Sequence, residues 1–274
     1  MKQTAILCLG AAILLSSLAV GCSGGSEAGG SIEFKTIKSG TTYRLLNSAR
    51  EFGADGDITY ADSVCLLMPV RIAGADIAPL RDSIMSLAFD SVGSDINTIM
   101  EKYIERTASQ LGYPLERLDS MPSGTTPDGF TSVDGSVVNL TPEVLVYCVS
   151  NYQYQPHAAH GMSTDFYINY DIAGSRVLSA RDIFRPETTD SLVATIQTQA
   201  DALEQVIGPT TITALPANDN FMLAPGGEIV FVYQPYEVAS YAQGKIRVSF
   251  YPYELVDYMT PFAVNYFKLS DIGR

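Results

Sequence analysis

The chain has 274 residues, a net charge of −13, two histidines and no tryptophan. Such acidity leaves no basic face to displace counterions from phosphate, which excludes nucleic acid as a partner. The length allows one large domain or two small ones with a substantial core, and the charge implies either a plain solvated surface or attraction for a basic protein or a cation.

Lys2 gives a positive start, residues 5–20 form an uncharged apolar run, and Ala19-Val20-Gly21 brings small residues onto Cys22. This resembles a bacterial lipoprotein signal, residues 1–21, which implies cleavage before Cys22 and acylation of its thiol and new amino group. Cys22 is then an anchor in the lipid bilayer, and the body faces the periplasm or the exterior of the cell envelope. Each buried methylene adds roughly 0.8 kcal/mol, so several acyl chains hold where a single one is marginal. An uncleaved membrane span is the alternative, although the run is shorter than the roughly 20 residues a span wants. Residues 22–31 are rich in Gly and Ser and form a flexible tether with a span of roughly 17 Å.

Residues 32–38 and 63–72 are predicted strands, the second so continuously apolar that burial on both faces is expected. Two helices follow. The first aligns Ile77, Leu80, Ile84, Leu87 and Ala88; the second aligns Ile96, Ile99, Met100, Tyr103, Thr107 and Leu111, opening after Ser94 and stopping at Gly112. Residues 121–128, with Pro122, Gly124 and Pro127, break the pattern and predict a loop. Residues 143–154 alternate as a strand, and 165–172, 228–234 and 245–251 are further strands. A helical stripe of Leu192, Ile196, Ala200, Leu203 and Ile207 ends at Gly208-Pro209. Strands and helices mix without strict alternation, which predicts an α+β fold of mixed or antiparallel sheets with packed helices in two related subregions.

The residues offer little chemistry. His157 and His160 lie three apart, where a catalytic zinc needs about three protein ligands. Asp165 or Asp171 is the available third ligand, and a turn with one histidine bonded to local backbone is the simpler expectation. Ser163 is near His160, yet no Gly-x-Ser-x-Gly elbow and no phosphate-binding loop occur, so no metal, cofactor or catalytic residue is expected. Cys65 and Cys148 sit in apolar runs. In an oxidising compartment a disulfide between them would close a loop of 84 residues, worth up to about 4 kcal/mol; two inert buried thiols are the alternative. Sixteen tyrosines supply amphipathic aromatic surface, with Tyr233, Tyr236 and Tyr241 before the last strand and Tyr251, Tyr253 and Tyr258 after it. Such rings suit protein or glycan recognition, or pack at the core edge with their hydroxyls wet.

Three segments carry a resemblance. Tyr154-Gln155-Pro156-His157-Ala158-Ala159-His160-Gly161 is similar to the Tyr-x-Gly-Gly-Ala-His-Gly turn of the RsiV-like domain of unknown function (DUF3298 type). Asn169-Tyr170-Asp171, leading to Asp182-Ile183-Phe184, resembles its Asn-x-Asp strand and Asp-x-Phe turn. Residues 236–244, then the strand 246–250 and Pro252-Tyr253-Glu254-Leu255, resemble its closing signature. Pro156 and His157 stand where that turn has paired glycines, which bears on how closely backbone can approach there. The arrangement upstream resembles a DUF4163/PdaC-type companion region, giving domains at 32–153 and 154–274. Relatives form the outer part of a membrane anti-sigma factor that senses lysozyme, or accompany a peptidoglycan deacetylase. The resemblance therefore implies a non-catalytic envelope module that binds a basic, lysozyme-like protein or a cell-wall glycan. A hydrolase or metalloenzyme using His160 and a nearby carboxylate is the rival expectation.

Overall fold

A computed structural model describes residues 17–18, 32–93, 95–119, 125–203 and 209–271. Cys22, the tether and the signal apart from Ser17 and Leu18 lie outside the described residues, as do Ser94, Met121, Pro122, Gly124, Ile207 and Gly208. The fold is α+β, with one large mixed sheet and one small antiparallel sheet. In chain order the strands are β1 (Ser17–Leu18), β2 (Ile32–Leu45), β3 (Ile58–Ile72), β4 (Leu115–Leu118), β5 (Gly129–Leu140), β6 (Val144–Tyr154), β7 (Met162–Asp171), β8 (Arg176–Leu178), β9 (Phe221–Leu223), β10 (Ile229–Tyr233) and β11 (Ile246–Phe250). The α-helices are α1 (Ala49–Phe52), α2 (Ala78–Phe89), α3 (Ile96–Ser109), α4 (Ala180–Ile183), α5 (Thr189–Asp201) and α6 (Pro261–Tyr266). No helix among the described residues is long and apolar enough to cross a membrane.

The chain packs as two units, each assembled from separate stretches. One unit holds residues 1–71, 85–135 and 150–163. In it β2 pairs antiparallel with β1 and β4, while β3 runs parallel to β5 with Tyr60 opposite Gly129 and Asp62 opposite Thr131. Burial along β3 alternates rather than covering both faces. Ile58, Tyr60, Asp62, Val64 and Leu66 are buried and their neighbours half-buried, because the period of two points them to opposite sides. Asp95 caps α3 by accepting from the Thr98 N–H at 3.2 Å, and Met100, Ile104, Thr107 and Ala108 form its buried stripe.

The other unit holds residues 72–84, 136–149 and 164–274. β8 pairs antiparallel with β7, and β9, β10 and β11 form the small sheet in the order β11-β10-β9. Its core gathers Val146, Ile183, Phe184, Leu192, Ile196, Phe231, Val248 and Leu255. Leu192, Ile196 and Ala200 of the predicted stripe are buried on α5, which ends at Asp201. Five β10 residues pair with all of β11, from Ile229 opposite Phe250 to Tyr233 opposite Ile246. That register sends the segment after β10 and the segment after β11 to opposite ends of the hairpin.

Candidate functional site

The histidine turn follows from Pro156 and Gly161. The Ala158 N–H donates to the Gln155 carbonyl at 3.0 Å, and the Tyr154 hydroxyl donates to the Ala158 carbonyl at 3.0 Å, closing the loop on its own strand. A Cβ on Gly161 would lie 2.2 Å from the Tyr152 hydroxyl oxygen, so only glycine lets that ring cover the turn. His157 occupies the position of the second motif glycine and keeps a glycine-like φ of 58°. Its exposed ring stacks on Phe52, centroids 5.2 Å apart, and Phe52 in turn meets Tyr113 at 6.0 Å. His160 is exposed, with Nδ1 3.2 Å from the Gly161 carbonyl oxygen.

The carboxylates considered as partners for histidine have structural work of their own. Asp165 pairs with Lys245 at 2.6 Å and with Arg247 at 3.2 Å. Asp171 accepts from the Gly174 N–H at 3.1 Å and lies 3.8 Å from Arg176. Asp182 accepts from the Ser179 N–H at 2.8 Å and the Ser179 hydroxyl at 2.6 Å, and it pairs with Arg176, whose guanidinium lies 4.5 Å from the centre of the Phe262 ring. Burial alone would raise the Asp182 carboxyl. The Ser179 bonds and Arg176 outweigh it and hold the group below the ordinary aspartate value. Asn169 donates to the Phe221 carbonyl and accepts from the Leu223 N–H, both at 2.8 Å, tying β9 to β7. The Asn-x-Asp strand and the Asp-x-Phe turn are thus joints of the fold.

No group of three or more His, Cys, Asp or Glu side chains among the described residues is arranged to hold a metal ion. Cys65 is half-buried on β3 and Cys148 buried on β6, both as thiols. A groove of about 860 Å³ is lined by Thr189, Asp190, Val193, Leu215, Pro216 and Asp219 among others. Its lining has no histidine, cysteine or lysine, and Asp219 accepts from the Ala180 N–H at 3.3 Å.

The tyrosines separate into three roles. Tyr233 is core: 1% exposed, its hydroxyl donates to the Ala214 carbonyl at 3.0 Å, and burial raises its ionisation. Tyr258 shares a 2.7 Å hydroxyl contact with Thr195. Four more form two surface pairs at opposite ends of β11. Tyr236 and Tyr241 have centroids 5.6 Å apart; Tyr251 and Tyr253 are 5.7 Å apart with planes only 5° apart. Five strand residues separate the pairs, roughly 16 Å, so Tyr253 belongs with Tyr251 and not with Tyr236 and Tyr241.

Tyr236 stands in a constrained turn. The Glu237 N–H donates to the Gln234 carbonyl at 3.1 Å, Pro235 holds the second position, and Tyr236 holds the third with φ 70°, where a turn of this pattern prefers glycine. It is 58% exposed, so no core packing repays that conformation. Tyr251 and Tyr253 are 46% and 54% exposed beside Val256 at 39%, and Glu254 and Asp257 are exposed in the same short 3₁₀ segment. Sequence composition pointed to aromatic surface. Coplanarity and the placement of the acids required the fold.

No curated protein matches the chain. Residues 181–254 match the model of the family described as "Protein of unknown function (DUF3298)"; the match includes Asp182 and the closing signature as far as Glu254, and the histidine turn and Asn169-Tyr170-Asp171 lie before it. Among solved structures, a DUF3298 family member from Bacteroides fragilis is 18% identical with a TM-score of 0.65, covering 89% of this chain and 100% of its own. A DUF3298 family protein from Pseudomonas aeruginosa is 14% identical with a TM-score of 0.47, covering 83% of this chain and 95% of its own. Residues 181–254 are thus a DUF3298 domain, in a chain that shares its fold with the Bacteroides fragilis structure.

Proposed function

We propose that this chain is a non-catalytic lipoprotein of the cell envelope, acylated at Cys22, whose RsiV-like domain binds a basic extracytoplasmic protein of the lysozyme kind. The observation that carries the reading is the exposed, coplanar Tyr251–Tyr253 pair flanked by exposed Val256, Glu254 and Asp257. Tyrosine faces attract ammonium and guanidinium groups, adjacent carboxylates reinforce that attraction, and an apolar centre with a polar rim is the usual anatomy of an interface. The net charge of −13 favours the same class of partner by drawing a cationic protein in from a distance. In this reading Tyr236 and Tyr241, at the other end of β11, supply a second anchor, and residues 32–153 are the companion region.

A cell-wall glycan is the second reading, favoured by the same flat pair of rings, which offers a surface for the face of a sugar. Glu254 and Asp257 place the basic protein ahead of it. The hydrolase reading draws no support from His160, which sits exposed at a turn. Titration of the chain from residue 32 onward against lysozyme tests the proposal: saturable binding weakened by Tyr253→Ala supports it, and its absence in a folded protein removes it.

A further inference from the structure

One buried residue of β3 does not suit its surroundings. Ile58, Tyr60, Asp62, Val64 and Leu66 alternate into the covered face of the strand, and Asp62 is the charged member, only 3% exposed. Neither of its carboxylate oxygens has a hydrogen-bond partner. Thr131, opposite it in register on β5, has its hydroxyl 2.5 Å from Tyr60 Oη. Among the described residues the ionisable groups facing Asp62 are tyrosines: Tyr43 from β2, Tyr60 from its own strand and Tyr103 from α3. Glu105 and Arg117 lie a step away, acting on Tyr43. An isolated ion buried without hydrogen bonds is among the costliest arrangements a core can hold, and such sites resolve by neutralising the group or by admitting water.

We propose that Asp62 is a proton-operated latch on α3: with its proton the carboxyl leaves α3 docked on β2 and β3, and without it the carboxylate draws water and α3 lifts. Two further observations support this. Burial pushes Asp62 up to about 7, the nearby Thr131 hydroxyl offsetting only part of the effect. α3, which packs on β2 and whose Tyr103 is within electrostatic reach of Asp62, is held by a short stripe of Met100, Ile104, Thr107 and Ala108, so lifting it exposes the carboxyl without unfolding the rest. The docked form keeps its proton to about pH 7, whereas the opened form, back in water, loses it near the ordinary 3.8. Opening is therefore favoured as pH rises between those values, roughly tenfold per pH unit, and levels off above.

Hydrogen exchange on the whole chain at pH 5, 6, 7 and 8, corrected for the intrinsic rate of each amide, tests the latch. The opening constant of the α3 amides should rise about tenfold from pH 5 to 6 and again to 7, then flatten, while α5 amides show no such trend. Asp62→Asn, of the same shape, should erase the dependence. Asp62→Leu, whose side chain suits the apolar site, should do the same and serves if the asparagine variant folds poorly. An unchanged pH response in the folded variants overturns the proposal, as does a response shared equally by α3 and α5, which marks global unfolding.

Discussion

The imidazole of His157 lies against the ring of Phe52, planes 16° apart, while its own backbone is held at φ 58°. The turn thus keeps the left-handed geometry that a glycine would adopt without strain, and the stacked ring returns part of the cost to a side chain that is not glycine. Replacing His157 by Ala removes the stack and keeps the strain, so a loss of about 1–2 kcal/mol is expected. Replacing it by Gly removes both, and stability should stay within about 0.5 kcal/mol of the parent. Urea denaturation decides the order, and an alanine variant as stable as the glycine variant refutes this account of the turn. His160→Ala is expected within about 0.5 kcal/mol of the parent because its ring is exposed. That is less than the cost of a buried hydrogen bond, which the motif alone suggests.

At Tyr236 no packing offsets the strained backbone. The turn 234–237 favours glycine at its third position, and the tyrosine there is exposed. Tyr236→Gly should leave thermal stability unchanged or raise it by a few tenths to about 1 kcal/mol, and weaken partner binding. A glycine variant that unfolds earlier shows that the ring is a structural prop.

Asp182 should dominate the acid limb of stability. Its carboxyl is held below the ordinary aspartate value, so its contribution is complete above the unfolded-state value of 3.8 and is lost as pH falls through the lower folded value. Asp182→Asn should cost about 1.5–3 kcal/mol at pH 7, as for hydrogen bonds to a charged group, with the deficit shrinking below pH 4. Thermal melts at pH 7 and pH 3 measure both, and a deficit that does not change with pH removes the charge from the explanation.

Cys22 carries the proposed membrane attachment. Cys22→Ser should release the protein from the membrane fraction into the soluble fraction. Continued detergent-dependent fractionation with membranes contradicts acylation at that thiol.

Periodicity made much of the fold legible. The apolar spacing in α2, α3 and α5, the alternation in β11 and the apolar runs of β6 and β10 are all visible in the sequence. β4, β5, β8 and β9 were not legible. β5 carries Asp134, Gly135 and Ser136 in place of an apolar run, and β9 is three residues pinned by Asn169, a contact 52 residues distant in the chain. At the surface, the tyrosine excess was plain, but nothing local to the sequence separates buried Tyr233 from exposed Tyr236, because the division depends on where β10 ends. Asp62 stands between Ala61 and Ser63, just before the apolar run 63–72, and gave no signal, since its burial is created by the fold around it.

The central claim is that an aromatic and acidic surface binds a basic protein, and the direct measurement is calorimetric titration of the chain from residue 32 onward with lysozyme across a salt series. Any acidic protein attracts lysozyme weakly at low salt, so the deciding condition is physiological ionic strength, where the Debye length is roughly 8 Å. One-to-one saturable binding should persist there, with Glu254→Gln slowing association and making it less sensitive to salt, and Tyr253→Ala weakening affinity at least tenfold through faster dissociation, about 1.4 kcal/mol. Binding that vanishes at physiological salt, or that is indifferent to Tyr253→Ala and Tyr251→Ala in folded protein, contradicts the claim.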